Sequence, residues 1–478
     1  VNPIYKNLRV GLAGLGLEAY WSQFQGLEAR LKGYVEEVEQ NLQSVNRHIV
    51  NLGLIDTPER SLAAGHACRK NDVDLLLVYV TTYALSSTVL PLILRAKVPV
   101  ILLNLQPTAA IDYKAFNRME NRTSMTGEWL AYCSACPVPE IANVLRRLEI
   151  PFYQVTGMLR DDPICWDQVE EWLKAAEVAH LLSHSRLGLM GHYYSGMLDI
   201  ATDLTQVSGR FGLHIEMLEV DELSALRRGV THEEIETKRL DFEQFFHVDP
   251  NCRADELDRA ASTAVALDHL VARRDLDLLA YFYSGTGVPE NEDTMTSIIL
   301  GTSLLTGRGI PVAGEYEVKN VIAMKILDLL DAGGSFTEYY AIDFAEDLVL
   351  MGHDGPGHVK IAQDRIKVRP LEVYHGKVGS GLSVEMSVRH GPVTLLSVVE
   401  DKDKGFTLLV AHGESRAGEI LEIGNTNSRY AFPLGARRFV EEWNSHGPAH
   451  HCAVGVGHVG GCLKKLALLL DLNFVQVC

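Results

Sequence analysis

"DLLLVYVTTYALSSTVLPLILRAKVPVILLN", residues 74–104, holds two continuous apolar runs, DLLLVYV (74–80) and VPVILLN (98–104), on either side of a helix-like segment. Runs without polar alternation predict strands buried on both faces, and such strands joined by helices form parallel sheets. The same alternation extends upstream, from RVGLAGLG (9–16) through a long helical pattern to a run near HIVNLG and the helix-like TPERSLAAGHACRKN. The first third of the chain therefore reads as a doubly wound, Rossmann-like α/β domain. Its glycines run G-x-x-G-x-G, which is not the order of a dinucleotide-binding turn, so a tight strand-to-helix turn is expected.

A second α/β series starts near Arg186, with RLGLMGHYY, LHIEMLEV, LDLLAYFY and PVAGE as strand-like runs separated by helical patterns. The charged EEIETKRLDFEQFF reads as a solvated helix face. After about residue 335 the period changes to two, in DLVLMGH, RIKVRPLEV, LSVEMSVRHG, PVTLLSVVED and GFTLLVAHGE, with short turns between them. That pattern predicts an antiparallel, barrel-like sheet. The expected order is thus two doubly wound parallel-sheet domains, 1–170 and 171–335, followed by a β-rich domain, 336–478.

Composition narrows the function. With 44 basic and 62 acidic residues the net charge is −18, and no basic stripe occurs, which argues against a nucleic-acid partner. No run reaches the roughly 18 apolar residues of a membrane span, since Thr, Ser and Pro break the longest, and no secretory leader pattern opens the sequence. A cytoplasmic location is expected. Eight scattered cysteines fit reduced thiols, and the lone CxxC at Cys133 and Cys136 lacks the second pair that a zinc ribbon needs.

Ligand-type side chains gather at four element ends: Glu315 and Glu317 in AGEYEVK, Glu338 in SFTEYY, His353 and His358 in LMGHDGPGH, and His450 and His451 in GPAHH. In α/β sheets ligands collect beyond the carboxyl ends of strands, where Glu315 is expected. Carboxylates with imidazoles suit Mn²⁺, Fe²⁺ or Co²⁺. Glu317 reads as a first-turn carboxylate favoured by the helix dipole, on a helix anchored through Val318, Val321, Ile322 and Leu327. Ser284, Thr286 and Glu290 follow a strand and read as a capped turn, with the same cleft as the alternative.

The segments GEYEVK, SFTEYY, DLVLMGH and AHH, in this order, resemble those of the L-arabinose isomerases in the L-fucose/L-arabinose isomerase superfamily. The likeness is good over about 310–358 and fair over about 448–452. It implies a metal-dependent aldose-ketose isomerase working through a cis-enediol, with L-arabinose to L-ribulose, D-galactose to D-tagatose or a related sugar as its reaction. The implied divalent metal is Mn²⁺, with Co²⁺ or Mg²⁺ as alternatives. Its ligands would be Glu315, Glu338, His353 and His451, and the two glutamates would also be the catalytic acid and base. Glu317 falls just inside the helix, behind the ligands or at the surface. His358 and His450 are adjacent candidates for contact with the substrate or for a place behind the ligands, with hydrogen-bonded bystanders as the alternative.

The family's T-Q-F-N-like loop reads NLQPTAA here and keeps Gln106, while GLGLEAYWSQFQG offers Glu18, Tyr20, Trp21 and Gln23 as a different sugar-facing wall. The family also implies a homo-oligomer, trimer, hexamer or tetramer, with sites completed between subunits. Two other classes use comparable parts: a sugar-binding or sensory protein built on paired α/β domains, and another metal-dependent carbohydrate enzyme, of L-fucose isomerase or aldolase type.

Overall fold

The computed structural model describes residues 7–43, 47–372, 379–403 and 405–478. The chain divides into two compact units, Asn2–His180 and Leu181–Cys478.

The first unit is built on strands β1 (Leu8–Leu15), β2 (Arg47–Ile55), β3 (Leu75–Val80), β4 (Val100–Gln106) and β5 (Phe152–Met158), in the parallel order β2-β1-β3-β4-β5. Every residue of β3 is buried, as the unbroken LLLVYV run requires. Of the glycines expected in a turn, Gly11 and Gly14 lie inside β1 itself. A Cβ on Gly14 would approach Val35 of the following helix to 2.3 Å, so that glycine serves close helix-on-strand packing.

The second unit contains β6 (Arg186–Gly191), β7 (His214–Leu218), the short β8 (Phe246–Val248), β9 (Leu278–Phe282) and β10 (Val312–Ala313). Four of these make a parallel sheet ordered β10-β9-β6-β7. The chain continues through β11 (Ser335–Asp343), β12 (Leu348–His353), β13 (Ile366–Leu371), β14 (Gly381–Glu385), β15 (Gly391–Asp401), β16 (Gly405–Arg416), β17 (Thr426–Ala431), β18 (His451–Val456) and β19 (Asn473–Gln476). The order β15-β18-β11-β12-β17-β16 closes on itself through β15 and β16, giving a six-stranded antiparallel barrel to which β19 adds a parallel edge. β8 leaves the parallel sheet and pairs with β13, which pairs with β14. The expected architecture, parallel α/β sheets followed by an antiparallel barrel, is what the chain adopts.

One helix joins the two parts of the second unit. Val318–Leu329 touches β9 and β10 of the parallel sheet and β15 and β18 of the barrel. It is buried on all sides from Val318 to Leu327, including Lys319, Asn320 and Lys325, rather than along one apolar stripe. A helix covered all round is a core element, and each fully buried Val, Ile or Leu on it contributes about 1.5–3 kcal/mol. Two lysines survive there because each ammonium donates to carbonyls: Lys319 to those of Asp199 and Ala201, and Lys325 to that of Gly309.

Candidate metal centre

Glu315 sits in the four-residue link between β10 and the buried helix. Glu315 and Tyr316 both adopt left-handed backbone, at φ 58° and 63°. Such conformations cost on the order of 1–3 kcal/mol each and persist only where the surroundings hold them. Here the Tyr316 N–H donates to the Tyr281 carbonyl at 3.0 Å, and its buried ring meets Tyr193 edge-on at 4.8 Å. The strained link turns the chain sharply and leaves Glu317 as the helix N-cap.

The other ligand-type residues come from the barrel. In the β11–β18 pairing Glu338 lies directly opposite His451, and across β12 it lies opposite Gly352, the neighbour of His353. A Cβ at position 352 would meet the Thr426 carbonyl oxygen at 1.9 Å, so only glycine lets β12 approach β17 there. Thr426 also fixes the His353 backbone, accepting from its N–H at 3.1 Å and donating to its carbonyl at 3.0 Å. The Phe336 ring packs against both imidazoles, with ring centres 4.3 Å from His353 and 4.4 Å from His451.

These elements converge. His451 Nε2 lies 3.4 Å from Glu315 Oε2, and its Nδ1 lies 3.5 Å from Glu317 Oε2. His353 Nε2 is 3.9 Å from Glu315 Oε1. His450 Nε2 is 3.9 Å from Glu315 and 4.0 Å from Glu338, while its Nδ1 binds Asp199 at 2.6 Å. Two overlapping sets, Glu315/His450/His451 and Glu338/His353/His451, each bring one atom per residue within 4.8 Å of the others. Atoms sharing an ion at 2.0–2.2 Å are at most about 4.4 Å apart, so only small side-chain adjustments are needed.

Electrostatics points the same way. His451 and Glu317 are fully buried, yet among the described residues neither ring nitrogen of the one and neither oxygen of the other has a hydrogen-bond partner. Buried polar atoms in this state are costly unless a cation or proton compensates them. Burial pushes the Glu317 carboxyl up to about 7, against the pull of Lys319. Burial likewise pushes His451 down to about 3, keeping it in the neutral form that binds metals. Glu338 is raised, first by burial and further by Glu315, with His450 opposing. The donor set fits a divalent cation, with Glu317 behind His451 as the carboxylate that orients a ligating imidazole.

A cavity of about 430 Å³ opens on Glu315, Glu338 and His353, within the size range of small-molecule sites. Tyr194, Tyr281, Tyr340, Asp354 and Asn425 give it a polar lining, and Met295, Ile298, Ile299, Leu421 and Ile423 an apolar wall. A second cavity of about 370 Å³ shares Glu338 and is lined by Asp199 and His450.

The four residues expected to hold metal are thus brought together, with His450 beside them. Glu317 is neither a surface group nor a first-turn carboxylate: it is a fully buried N-cap facing His451. His358 is buried but faces no carboxylate among its ion pairs, and it lines neither of these two cavities. Glu290 pairs with Arg228 and Thr286 bonds Tyr283, while the following helix, Pro289–Thr296, starts at Val288 without a side-chain cap.

Gln106, Tyr20 and Gln23 belong to the other unit. Gln106 ends β4, where its carbonyl accepts from Leu159. Gln23 donates to the Ala19 carbonyl at 2.7 Å, Tyr20 packs on Phe24, and Trp21 donates to Asp56 at 2.7 Å; Glu18 opens the short 3-10 turn that carries Tyr20. Cys133 is buried and Cys136 exposed, both as free thiols. Asp199, Tyr281, Tyr340 and Asp354 carried no sequence signal, because each stands alone in an ordinary segment and only the fold assembles them.

Among the described residues, no helix is long and apolar enough to cross a membrane. No family model and no curated protein matches the sequence. Among solved structures, D-threo-3-hydroxyaspartate dehydratase from Delftia sp. HT23 aligns over 88% of this chain and 92% of its own at 13% identity. Its TM-score is 0.11, too slight a likeness to carry any inference about this chain.

Proposed function

We propose that this protein is a divalent-metal-dependent aldose-ketose isomerase, with L-arabinose and L-ribulose, or D-galactose and D-tagatose, as its substrate pair. The observation that carries the reading is His451, buried with unpartnered nitrogens between Glu315 and Glu317, in a cluster closed by Glu338 and His353. Glu315, Glu338, His353 and His451 would hold the ion, with Mn²⁺ the first choice and Co²⁺ or Mg²⁺ the alternatives. When bound, the ion supplies Lewis acidity toward O1 and O2 of the open-chain sugar.

Isomerisation needs a base for a weakly acidic C–H and a route for a hydroxyl proton. One of Glu315 and Glu338 takes the proton from C2 and returns it to C1, and the other carries a proton between O2 and O1. No atom or electron is gained or lost overall. Burial raises the proton affinity of Glu338, which suits a group that must both accept and release a proton. The apolar wall of the cavity limits water around the cis-enediol. Gln106, Tyr20 and Gln23 would contact sugar hydroxyls, in an oligomer whose subunits share sites.

The test is ketose formation from a panel of aldopentoses and aldohexoses with added Mn²⁺. Wild type should convert at least one sugar, and Glu338→Gln should slow it by about 10²–10⁴-fold with unchanged circular dichroism. Saturable sugar binding without turnover would instead mark a binding protein, and undiminished turnover by the variant would remove Glu338 from the acid-base role.

A further inference from the structure

Asp199 stands more than two hundred residues before the AHH segment, yet its Oδ2 accepts two hydrogen bonds from His450, one from the backbone N–H at 3.0 Å and one from Nδ1 at 2.6 Å. We propose that Asp199 is a positioning residue that holds His450 as the Nδ1–H tautomer, so that Nε2 is presented as a hydrogen-bond acceptor to a substrate hydroxyl between Glu315 and Glu338. This rests on the isomerase reading for its substrate, but not for its geometry.

Three observations support it. The two bonds to one oxygen fix the ring from both the main chain and the side chain, leaving Nε2 as the nitrogen that faces the carboxylates, at 3.9 Å from Glu315 and 4.0 Å from Glu338. Those gaps are too long for direct hydrogen bonds, and they leave Nε2 able to accept from a substrate hydroxyl lying beside the carboxylates. Asp199 is itself held in place: Lys319, from the buried helix that begins just after Glu315, donates to the Asp199 carbonyl at 2.6 Å and to the Ala201 carbonyl at 3.1 Å. The lysine of GEYEVK therefore connects the carboxylates to the residue that sets the histidine. The Asp199 and His450 side chains also border the cavity that shares Glu338, so a ligand can reach the imidazole.

An acceptor at Nε2 does a job that a second metal ligand cannot. By accepting the O–H of a substrate hydroxyl, Nε2 orients that hydroxyl beside the two glutamates. An oxygen at that position selects the Nδ1–H tautomer, and Asp199→Ala, which removes it, leaves the ring free to take either. This is the logic that governs the aspartate of serine-protease triads.

Imidazole ¹⁵N shifts of the whole chain, labelled at histidine and prepared without paramagnetic metal, read the tautomer directly. Wild type should show His450 protonated at Nδ1, and Asp199→Ala should lose that preference, with the Nε2–H form appearing. With a converted sugar from the aldose panel, Asp199→Ala should lower kcat by about 100-fold with KM within about threefold. It should add nothing on a His450→Asn background, because both changes remove one device. An Nε2–H tautomer in wild type, or independent additive losses in the double variant, would overturn the proposal. If no sugar in the panel is converted, the isomerase reading fails while the tautomer shift still decides the role of Asp199.

Discussion

His451 and His358 are each 1% exposed, neither ring has a hydrogen-bonded nitrogen among the described residues, and burial depresses the proton affinity of both. Their surroundings differ. His451 has Glu315 at 3.4 Å on one nitrogen and Glu317 at 3.5 Å on the other. His358 has a backbone N–H donating to Met386 Sδ at 3.2 Å, a ring against Gly333, and the nearby charge of Lys360. Burial without partners is therefore not enough to mark a site. What distinguishes His451 is that its unpartnered nitrogens face the carboxylates of Glu315 and Glu317, an arrangement that a cation can compensate.

The largest expected difference between the two histidines is in turnover. His451→Asn should reduce isomerase activity by at least about 100-fold, whereas His358→Asn should leave it within about threefold. Equal losses in steady-state assays would erase the distinction. A smaller effect should appear in thermal unfolding. Mn²⁺ at about 100 times its Kd stabilises a protein that binds it only when folded by about 2.7 kcal/mol. The resulting rise in Tm should survive His358→Asn and vanish with His451→Asn.

A third difference concerns acid. His358 is lowered from 6.5 to about 4 on folding, so below pH 6.5 the unfolded chain binds the proton more readily than the native one. In the metal-free protein the His358 contribution is fully present above pH 6.5 and falls by about 3 kcal/mol toward pH 4. His451 acts in the same direction and extends the loss toward pH 3. Glu317 acts oppositely: its raised carboxyl makes the native state lose stability as pH climbs from 4.5 to about 7. Urea titrations from pH 4 to 7 should show a shallower acid slope in His358→Asn than in wild type, and an unchanged slope would mean that the ring is proton-accessible.

The architecture was legible because its signals are local. Continuous apolar runs such as DLLLVYV can satisfy only strands covered on both faces, and the change to period two after residue 335 marks the antiparallel barrel. Glu315, His353 and His451 stand at element ends, where folds gather ligands, whereas Glu338 lies inside β11, and the four were singled out as one ligand set through the family resemblance. The role of Glu317 was not legible, since a glutamate at a helix start looks the same whether it faces solvent or a buried imidazole. Only the left-handed pair Glu315 and Tyr316, which no composition rule signals, turns it inward. The contact between Asp199 and His450 depends on two segments separated by most of the second unit, and no periodicity reaches across such a distance.

Mn²⁺ binding followed by electron paramagnetic resonance tests the metal centre most directly, because the signal of the free ion disappears on coordination. One ion per chain should bind to wild type, and none at that site to the Glu315→Gln, Glu338→Gln double variant with its fold intact. Stoichiometric binding that survives the double substitution, or no binding by wild type, would contradict the account.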